Sequence, residues 1–368
     1  MADNHSEIQT WIPLYLPGLN RNSSTGGANQ NCCILAADVG GTKTNLALFE
    51  IQGNHQPVSL VEASYHSRDY DSFSLIVKDF LETRTNRKPV RLCAGVAGPV
   101  IDGRVEVTNL PWKMDQRLVS KVVGMDDVIF INDLQATAYG LAALNAKQVH
   151  VIRNADEMTP GNIAVIAPGT GLGEAGLYYD GKYYHPFATE GGHCDFAPRT
   201  ELDIALLQYL QKKVEVVSWE HVVSGMGILH IYQFLRDTHR YEEPAALQNQ
   251  LEQAPDKAAL ISEAATRNEF AICRETMRLF VRYLAHEAAN LVLKLKATGG
   301  LYLGGGIPPK IIDLLIEERF YTHYLHCDRM QELVEKVPIY VVLNDKTALL
   351  GAAYYAAFGP RAVSQKPE

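Results

Sequence analysis

The 368-residue sequence lacks the features that mark several large classes of protein. Its 34 Lys and Arg residues are outnumbered by 42 Asp and Glu residues and form no basic stripe, which argues against a nucleic-acid partner. No apolar run approaches the roughly 20 residues that a membrane helix needs. The six cysteines form no C-x-x-C pair and no disulfide framework, which favours reduced thiols. The composition therefore predicts a soluble cytoplasmic protein that binds neither membrane nor nucleic acid.

Strand-like and helix-like segments alternate along the chain, which is typical of an α/β protein. Apolar segments at 32–38 and 45–51 flank a Gly-Gly turn and predict a β-hairpin. Helical patterns cover 271–296 and 347–358. Residues 20–31 are rich in Asn, Ser and Gly, a composition of flexible linkers. We therefore expect a flexible N-terminal extension over 1–31, followed by α/β structure.

Three glycine-rich turns, at 38–42, 168–173 and 304–306, each follow a predicted strand. Glycine allows the backbone to approach a ligand closely, and successive amides in such turns form concave sites for anions. One glycine turn is weak evidence, but three that follow strands favour phosphate binding.

Residues 171–176 also fit the pattern G-x-G-x-x-G, which in dinucleotide-binding proteins opens a helix. Here the segment that follows has the pattern of a β-hairpin around Asp180-Gly181, so we reject a dinucleotide site. The P-loop motif and the protein-kinase signatures are absent as well.

Six sequence motifs occur in a fixed order, and together they are highly specific for one protein family. They are DVGGTKT at 38–44, IND at 131–133, APGTGLG at 167–173, EGGHCDFAP at 190–198, EHVVSG at 220–225 and GGLYLGGG at 299–306. This set resembles the bacterial-type ATP-dependent glucokinases, from about residue 34 to about residue 358. VSGMG at 223–227 is most similar to cyanobacterial members of that family.

The resemblance implies an α/β, two-lobed actin-like ATPase fold (ribonuclease H-like) with a cleft between the lobes. We expect a small α/β domain over 32–143 together with 343–368, and a large α/β domain over 144–342. The implied cofactors are ATP and Mg²⁺, with Asp38 facing the metal through water. The implied nucleotide-binding residues are Asp38, Gly40, Gly41, Thr42, Lys43, Thr44, Gly169, Thr170, Gly171, Gly173, Gly304, Gly305 and Gly306.

A hexose presents hydroxyl groups that both donate and accept hydrogen bonds, and carboxylates and amides match them. By resemblance, the sugar-binding residues are Asn132, Asp133, Glu190, His193 and Glu220. Asp133 corresponds to the family's catalytic base, which accepts the proton of the attacking 6-hydroxyl group.

Each of these residues also has a structural alternative. Asp133 follows a strand and could cap the next helix, His193 could be a satisfied core histidine, and Glu220 could complement a helix dipole. His193, Cys194 and Asp195 are all zinc-ligand types, but no second cysteine lies nearby to complete a closed four-ligand site. Zinc is therefore not expected.

The activity expected from the resemblance is transfer of the ATP γ-phosphate to the 6-hydroxyl of D-glucose, which feeds glycolysis. Two alternatives remain, a kinase for mannose or an amino sugar and a non-catalytic sugar sensor. A sensor that regulates transcription needs a DNA-binding helix pair, for which the Pro- and Gly-containing first 31 residues are too short. A homodimer is one option within the family.

Overall fold

The computed structural model describes residues 12–20, 33–51, 57–107, 110–155 and 159–361. In these ranges the strands, in chain order, are β1 (Cys33–Val39), β2 (Lys43–Ile51), β3 (Pro57–His66), β4 (Leu92–Val96), β5 (Arg104–Glu106), β6 (Lys113–Asp115), β7 (Val128–Asn132), β8 (Val149–Arg153), β9 (Ile163–Pro168), β10 (Leu172–Tyr179), β11 (Tyr184–Thr189), β12 (Gly300–Leu303) and β13 (Ile339–Val342).

The helices, in chain order, are α1 (Pro17–Asn20), α2 (Phe73–Thr83), α3 (Gln116–Val123), α4 (Asp133–Gly140), α5 (Glu201–Leu210), α6 (Gly225–Asp237), α7 (Ala245–Gln253), α8 (Lys257–Thr266), α9 (Ala271–Leu295), α10 (Ile312–Glu317), α11 (Phe320–Tyr324), α12 (Gln331–Glu335) and α13 (Thr347–Phe358). The predicted helices over 271–296 and 347–358 thus correspond to α9 and α13.

The chain divides into two compact units, one of residues 1–146, 182–188 and 344–368, and the other of residues 147–181 and 189–343. The domain boundaries expected from the sequence stay a prediction. This division differs from them in placing residues 182–188 with the first unit, where Tyr184 pairs with the N-terminal segment.

The first unit is built on a five-stranded sheet in the order β3-β2-β1-β4-β7. β1 and β2 form the predicted antiparallel hairpin, while β1, β4 and β7 are mutually parallel. Helix α13 is held against this unit by Arg91, whose guanidinium donates to Ala356 O (2.7 Å) and Gly359 O (3.2 Å) at the end of the helix.

Residues 12–20 belong to the segment that we expected to be flexible, and the structure differs there. Ile12, Leu14 and Leu16 are buried, because they alternate along an extended stretch. Tyr15 N donates to Tyr184 O (2.9 Å), and Tyr184 N donates to Pro13 O (2.8 Å). The segment therefore pairs with the start of β11. The remainder of the extension lies outside the described residues.

In the second unit, five strands follow the order β10-β9-β12-β13-β8. β9, β12 and β13 are parallel, whereas β10 and β8 are antiparallel to their neighbours. The 25-residue helix α9 is the centre of the core of this unit and packs on α6, α8 and α11. The G-x-G-x-x-G segment opens the strand β10 and not a helix, so the strand predicted after this segment is confirmed.

Candidate active site

The first glycine loop joins β1 to β2 and is held by a residue that sequence reasoning missed. Gly40 N donates to Lys43 O (3.0 Å), which closes the turn. Ser67, just after β3, donates from Oγ to Gly40 O (2.9 Å) and from N to Thr42 O (3.0 Å). Its hydroxyl also lies 3.0 Å from Thr44 Oγ1, and both side chains are fully buried. Thr44 therefore lies beneath the loop and stabilises it.

Asp38 lies near the end of β1, directly before this loop. Asn45 Nδ2 donates to Asp38 Oδ2 across the hairpin at 3.4 Å. Burial raises the pKa of the Asp38 carboxyl, and the hydrogen bond from Asn45 opposes that shift. A half-buried carboxylate with a weak partner is a group that a cation would stabilise.

Asn132 ends β7, and Asp133 begins α4. Asn132 Oδ1 accepts hydrogen bonds from Leu134 N (2.9 Å) and Gln135 N (3.2 Å), and its Nδ2 donates to Gly98 O (3.2 Å). Asn132 is thus the helix cap. Asp133 Oδ1 also accepts from Leu134 N (2.9 Å), but Asp133 is the first residue of the helix and not its cap.

Strand register brings these residues to one edge of the first sheet. In the parallel strands, Val39 is paired with Val96, and Val96 with Asn132. The first glycine loop and Asp133 directly follow these paired positions. The carboxyl ends of β1, β4 and β7 therefore present the loop and the Asp133 carboxyl at the same edge.

Gly95 in β4 is a second residue that the sequence did not single out. A methyl group on Gly95 would lie 2.9 Å from the Ala136 Cβ and 3.7 Å from the Asp133 Cα. The missing side chain thus allows the first turn of α4 to lie against the sheet. No local pattern signals this, because the contact joins residues 41 positions apart.

We expect Gly95→Ala to destabilise the protein by about 1–3 kcal/mol, as overpacking does, and to lower kcat by displacing Asp133. The matched control is Gly95→Ala combined with Ala136→Gly, which removes the opposing methyl group. Thermal unfolding and steady-state kinetics of both variants measure the effect. A Gly95→Ala variant with wild-type kcat would show that this packing does not position Asp133.

The second glycine loop joins β9 to β10 and is fixed from two sides. Gly169 N donates to Gly171 O (2.8 Å), and Gly225 N donates to Gly169 O (2.8 Å). Glu220 Oε2 accepts a hydrogen bond from Leu172 N at 2.8 Å. A residue assigned to the sugar is therefore bonded to the loop assigned to phosphate.

The third glycine loop follows β12 and lies against the second. Gly304 N donates to Ile166 O (2.8 Å), and Ile307 N donates to Pro168 O (3.2 Å). Gly305 has a φ of 77°, and a side chain there would place its Cβ 2.5 Å from Pro168 O. Only glycine fits this position, which brings the second and third loops together.

Glu190 and His193 lie on a 3₁₀ turn, and backbone pairing joins that turn to the segment before Glu220. His193 N donates to Glu190 O at 3.0 Å. The chain after the turn then pairs with 217–219, through Trp219 N to Cys194 O (2.9 Å) and Phe196 N to Val217 O (2.8 Å). Glu190 and His193 are exposed and Glu220 is half-buried, so His193 is not a core histidine.

Near this turn, burial lowers the pKa of His221, the charge of Glu220 opposes that shift, and His193 adds a smaller lowering effect. Ser218 N and Ser218 Oγ lie 3.1 and 2.9 Å from His221 Nδ1. A neutral His221 therefore fixes the backbone immediately before and after Glu220. Within the described ranges, which include His193, Cys194 and Asp195, no group of three or more metal-ligand side chains is placed to hold an ion.

The chain as a whole matches a known protein family. The glucokinase family model matches residues 35–358. A glucokinase from Nostoc punctiforme is 38% identical over 336 residues, covering 88% of this chain and 98% of the relative. One from Synechocystis is 39% identical over 347 residues, covering 88% and 97%.

A solved glucokinase structure from an Antarctic psychrotroph superposes with a TM-score of 0.74 at 34% identity, covering 88% of this chain and 98% of that one. The expected α/β, actin-like ATPase fold and the expected similarity to cyanobacterial members are confirmed. No helix in the described part of the chain is long and apolar enough to cross a membrane. The chain matches the family model and is similar to these relatives over most of their length. It therefore belongs to the glucokinase family of ATP-dependent hexose kinases.

Proposed function

We propose that this member of the glucokinase family transfers the γ-phosphoryl group of ATP to the 6-hydroxyl of D-glucose, giving glucose 6-phosphate and ADP. The observation that carries the assignment of residues is the register of β1, β4 and β7, which presents the first glycine loop and Asp133 at one sheet edge. Phosphoryl transfer depends mainly on such positioning of the phosphates and the nucleophile.

The three glycine loops are proposed to bind ATP, the first two at its phosphates and the third at its adenosine. Backbone amides of Gly41, Gly171 and Gly173, with the Thr170 hydroxyl, would neutralise phosphate charge without a counter-ion that must move, while the Gly40 amide closes the turn. The exposed Thr42 and Lys43 side chains follow in the first loop and are available to phosphate oxygens. The hydrogen bonds of Ser67, Gly225 and Glu220 fix the first two loops before ATP binds.

The sugar is proposed to bind through Asp133, Glu190, His193 and Glu220, with Asn132 in a supporting role. Asp133 would accept the proton of the 6-hydroxyl group as that oxygen attacks the γ-phosphorus. Glu190, His193 and Glu220 would bind other ring hydroxyls, and their orientation would discriminate between epimers. Asn132 would act indirectly, because its side chain caps α4 and so fixes the backbone at Asp133.

Asp38 fits the magnesium ion that this reaction implies. Mg²⁺ is usually held by one or two carboxylates together with phosphate oxygens, and keeps several waters. The burial that raises the pKa of Asp38 would be offset by a nearby divalent cation. When bound, the ion would neutralise charge on the transferred phosphate.

Magnesium dependence gives a direct prediction for Asp38. Turnover should stop when Mg²⁺ is chelated and return when it is added back. Asp38→Asn should raise the Mg²⁺ concentration for half-maximal rate by about 10- to 100-fold, the range for ligands that act through an outer shell. An unchanged Mg²⁺ dependence in this variant would remove Asp38 from the metal site.

The choice of hexose is tested by measuring ADP release with ATP across glucose, mannose and amino sugars. We expect the highest kcat/KM with glucose. A higher kcat/KM with mannose or an amino sugar would favour the alternative kinase, and sugar binding without ADP release would favour a sensor. We place the enzyme in the cytoplasm, where ATP and hexose are both present. A homodimer is compatible with this function, and sedimentation would test it.

A further inference from the structure

Two fully buried carboxyl groups lie in the second unit and have no part in the reaction described above. Glu174 lies in β10, directly after Gly173 of the second glycine loop, and is 1% exposed. Glu287 lies in the middle of α9 and is 0% exposed. Ionised side chains at such positions are costly unless they are paired.

The neighbours of the two groups differ. Lys294 Nζ donates to Glu287 Oε1 (3.0 Å), and Asn290 Nδ2 donates to Glu287 Oε2 (2.8 Å). Glu174 Oε1 is buried and has no hydrogen-bond partner among the described residues. The two carboxyl groups are near enough that the charge of Glu287 raises the pKa of Glu174, and the charges of both raise the pKa of Lys294. Because one of them must then carry a proton, and both donors stabilise the charge on Glu287, the proton belongs on Glu174.

Glu174 lies directly beneath the turn that carries Glu190. A methyl group on Gly191 would collide with Glu174 Oε2, so the backbone of the turn rests on that carboxyl group. Thr189 Oγ1 donates to Glu174 O (3.1 Å) and accepts from Gly191 N (3.2 Å). Residue 174 therefore contacts both neighbours of Glu190, Thr189 through its backbone carbonyl and Gly191 through its carboxyl group.

We propose that Glu174 and Glu287 share one proton, and that this neutral-plus-anionic pair positions the Glu190–His193 turn for sugar binding. The inference rests on the proposed role of Glu190 and His193. It makes Glu174 a positioning residue, because the carboxyl group acts through the turn and does not contact the sugar.

The pair makes sugar affinity depend on pH. Burial first, and then the charge of Glu287, raise the pKa of Glu174 to about 8, while Lys294 opposes the shift. The stabilising contribution of neutral Glu174 is complete at pH values below the ordinary carboxyl pKa and is lost as pH rises through about 8. Above that pH, two buried anions share the one lysine, and the turn should shift. Glucose KM should therefore increase at alkaline pH.

The test is the glucose KM of the wild type and of Glu174→Gln between about pH 6.5 and 9. The wild-type KM should rise about tenfold by pH 9, because each pH unit above a pKa lowers the protonated fraction about tenfold. Glu174→Gln keeps a hydrogen-bond donor toward Glu287 but cannot ionise. Its KM should stay within about twofold of the neutral wild-type value across the whole range, a change below the free energy of one hydrogen bond.

Three further variants separate the possible causes. Glu332→Gln removes an exposed carboxylate of the same unit, and its glucose KM should depend on pH as that of the wild type does. Glu174→Ala should raise KM already at neutral pH, with the melting temperature reporting any loss of fold. If Glu174→Gln shows the same alkaline rise as the wild type, the proton-sharing pair is refuted. If Glu190→Ala leaves glucose KM unchanged, the sugar assignment itself fails, whatever Glu174 does.

Discussion

Replacing Asp133 by Asn should lower kcat about 10²- to 10⁴-fold and leave the melting temperature unchanged. The carboxylate is half-buried at the first position of α4, where it can accept the proton of a hydroxyl group. An amide is nearly isosteric and can accept a hydrogen bond, but it cannot take a proton at neutral pH. The fold should survive because the helix is capped by Asn132.

Asp133→Asn should lower kcat more than it raises glucose KM, since the ground-state hydrogen bond to the sugar can persist. Asp126→Asn is the matched control, because Asp126 is an exposed aspartate of the same unit. Steady-state kinetics and thermal unfolding of the two variants are the measurements. Wild-type kcat in a folded Asp133→Asn protein would exclude Asp133 as the base.

Glu220→Ala should weaken the binding of both glucose and ATP, whereas Glu190→Ala should weaken the binding of glucose alone. The Glu220 carboxylate accepts a hydrogen bond from Leu172 N in the second glycine loop, and its loss leaves that amide without its acceptor. A hydrogen bond to a charged group contributes about 1.5–3 kcal/mol, which corresponds to about 10- to 100-fold in each affinity. Glu190 is exposed, and its side chain is assigned to the sugar only.

Each alanine variant is the control for the other, because both remove a glutamate side chain from the same unit. Glucose KM and ATP KM are measured for each, with the second substrate saturating. A Glu220→Ala variant with wild-type ATP KM would show that its bond to Leu172 does not support the phosphate loop. Equal ATP effects in both variants would indicate a general loss of structure.

The sequence predicted those features that local patterns encode. The Gly-Gly turn between two apolar segments predicted the β1–β2 hairpin, and apolar periodicity predicted α9 and α13 within one residue at each end. The family of the chain was likewise predicted, because its motifs are continuous stretches of six or more residues in most cases. The roles of individual residues within those motifs remain proposals.

Contacts between distant segments could not be predicted. Ser67 fixes the first loop, and Gly95 makes room for α4, through partners tens of residues away. The hydrogen bond between Glu220 and Leu172 joins two motifs that the sequence assigns to different ligands. The buried partner of Glu174 lies more than 100 residues further along the chain. Each of these contacts exists only after the sheet has formed.

The most direct test of the central claim is ADP release from ATP with 6-deoxyglucose in place of glucose. This sugar keeps the hydroxyls assigned to Glu190, His193 and Glu220 and lacks only the oxygen from which Asp133 would take a proton. We predict that 6-deoxyglucose competes with glucose for binding and supports no ADP release above the rate without sugar. ADP release with 6-deoxyglucose at the rate seen with glucose, accompanied by a phosphorylated sugar, would contradict transfer to the 6-hydroxyl group.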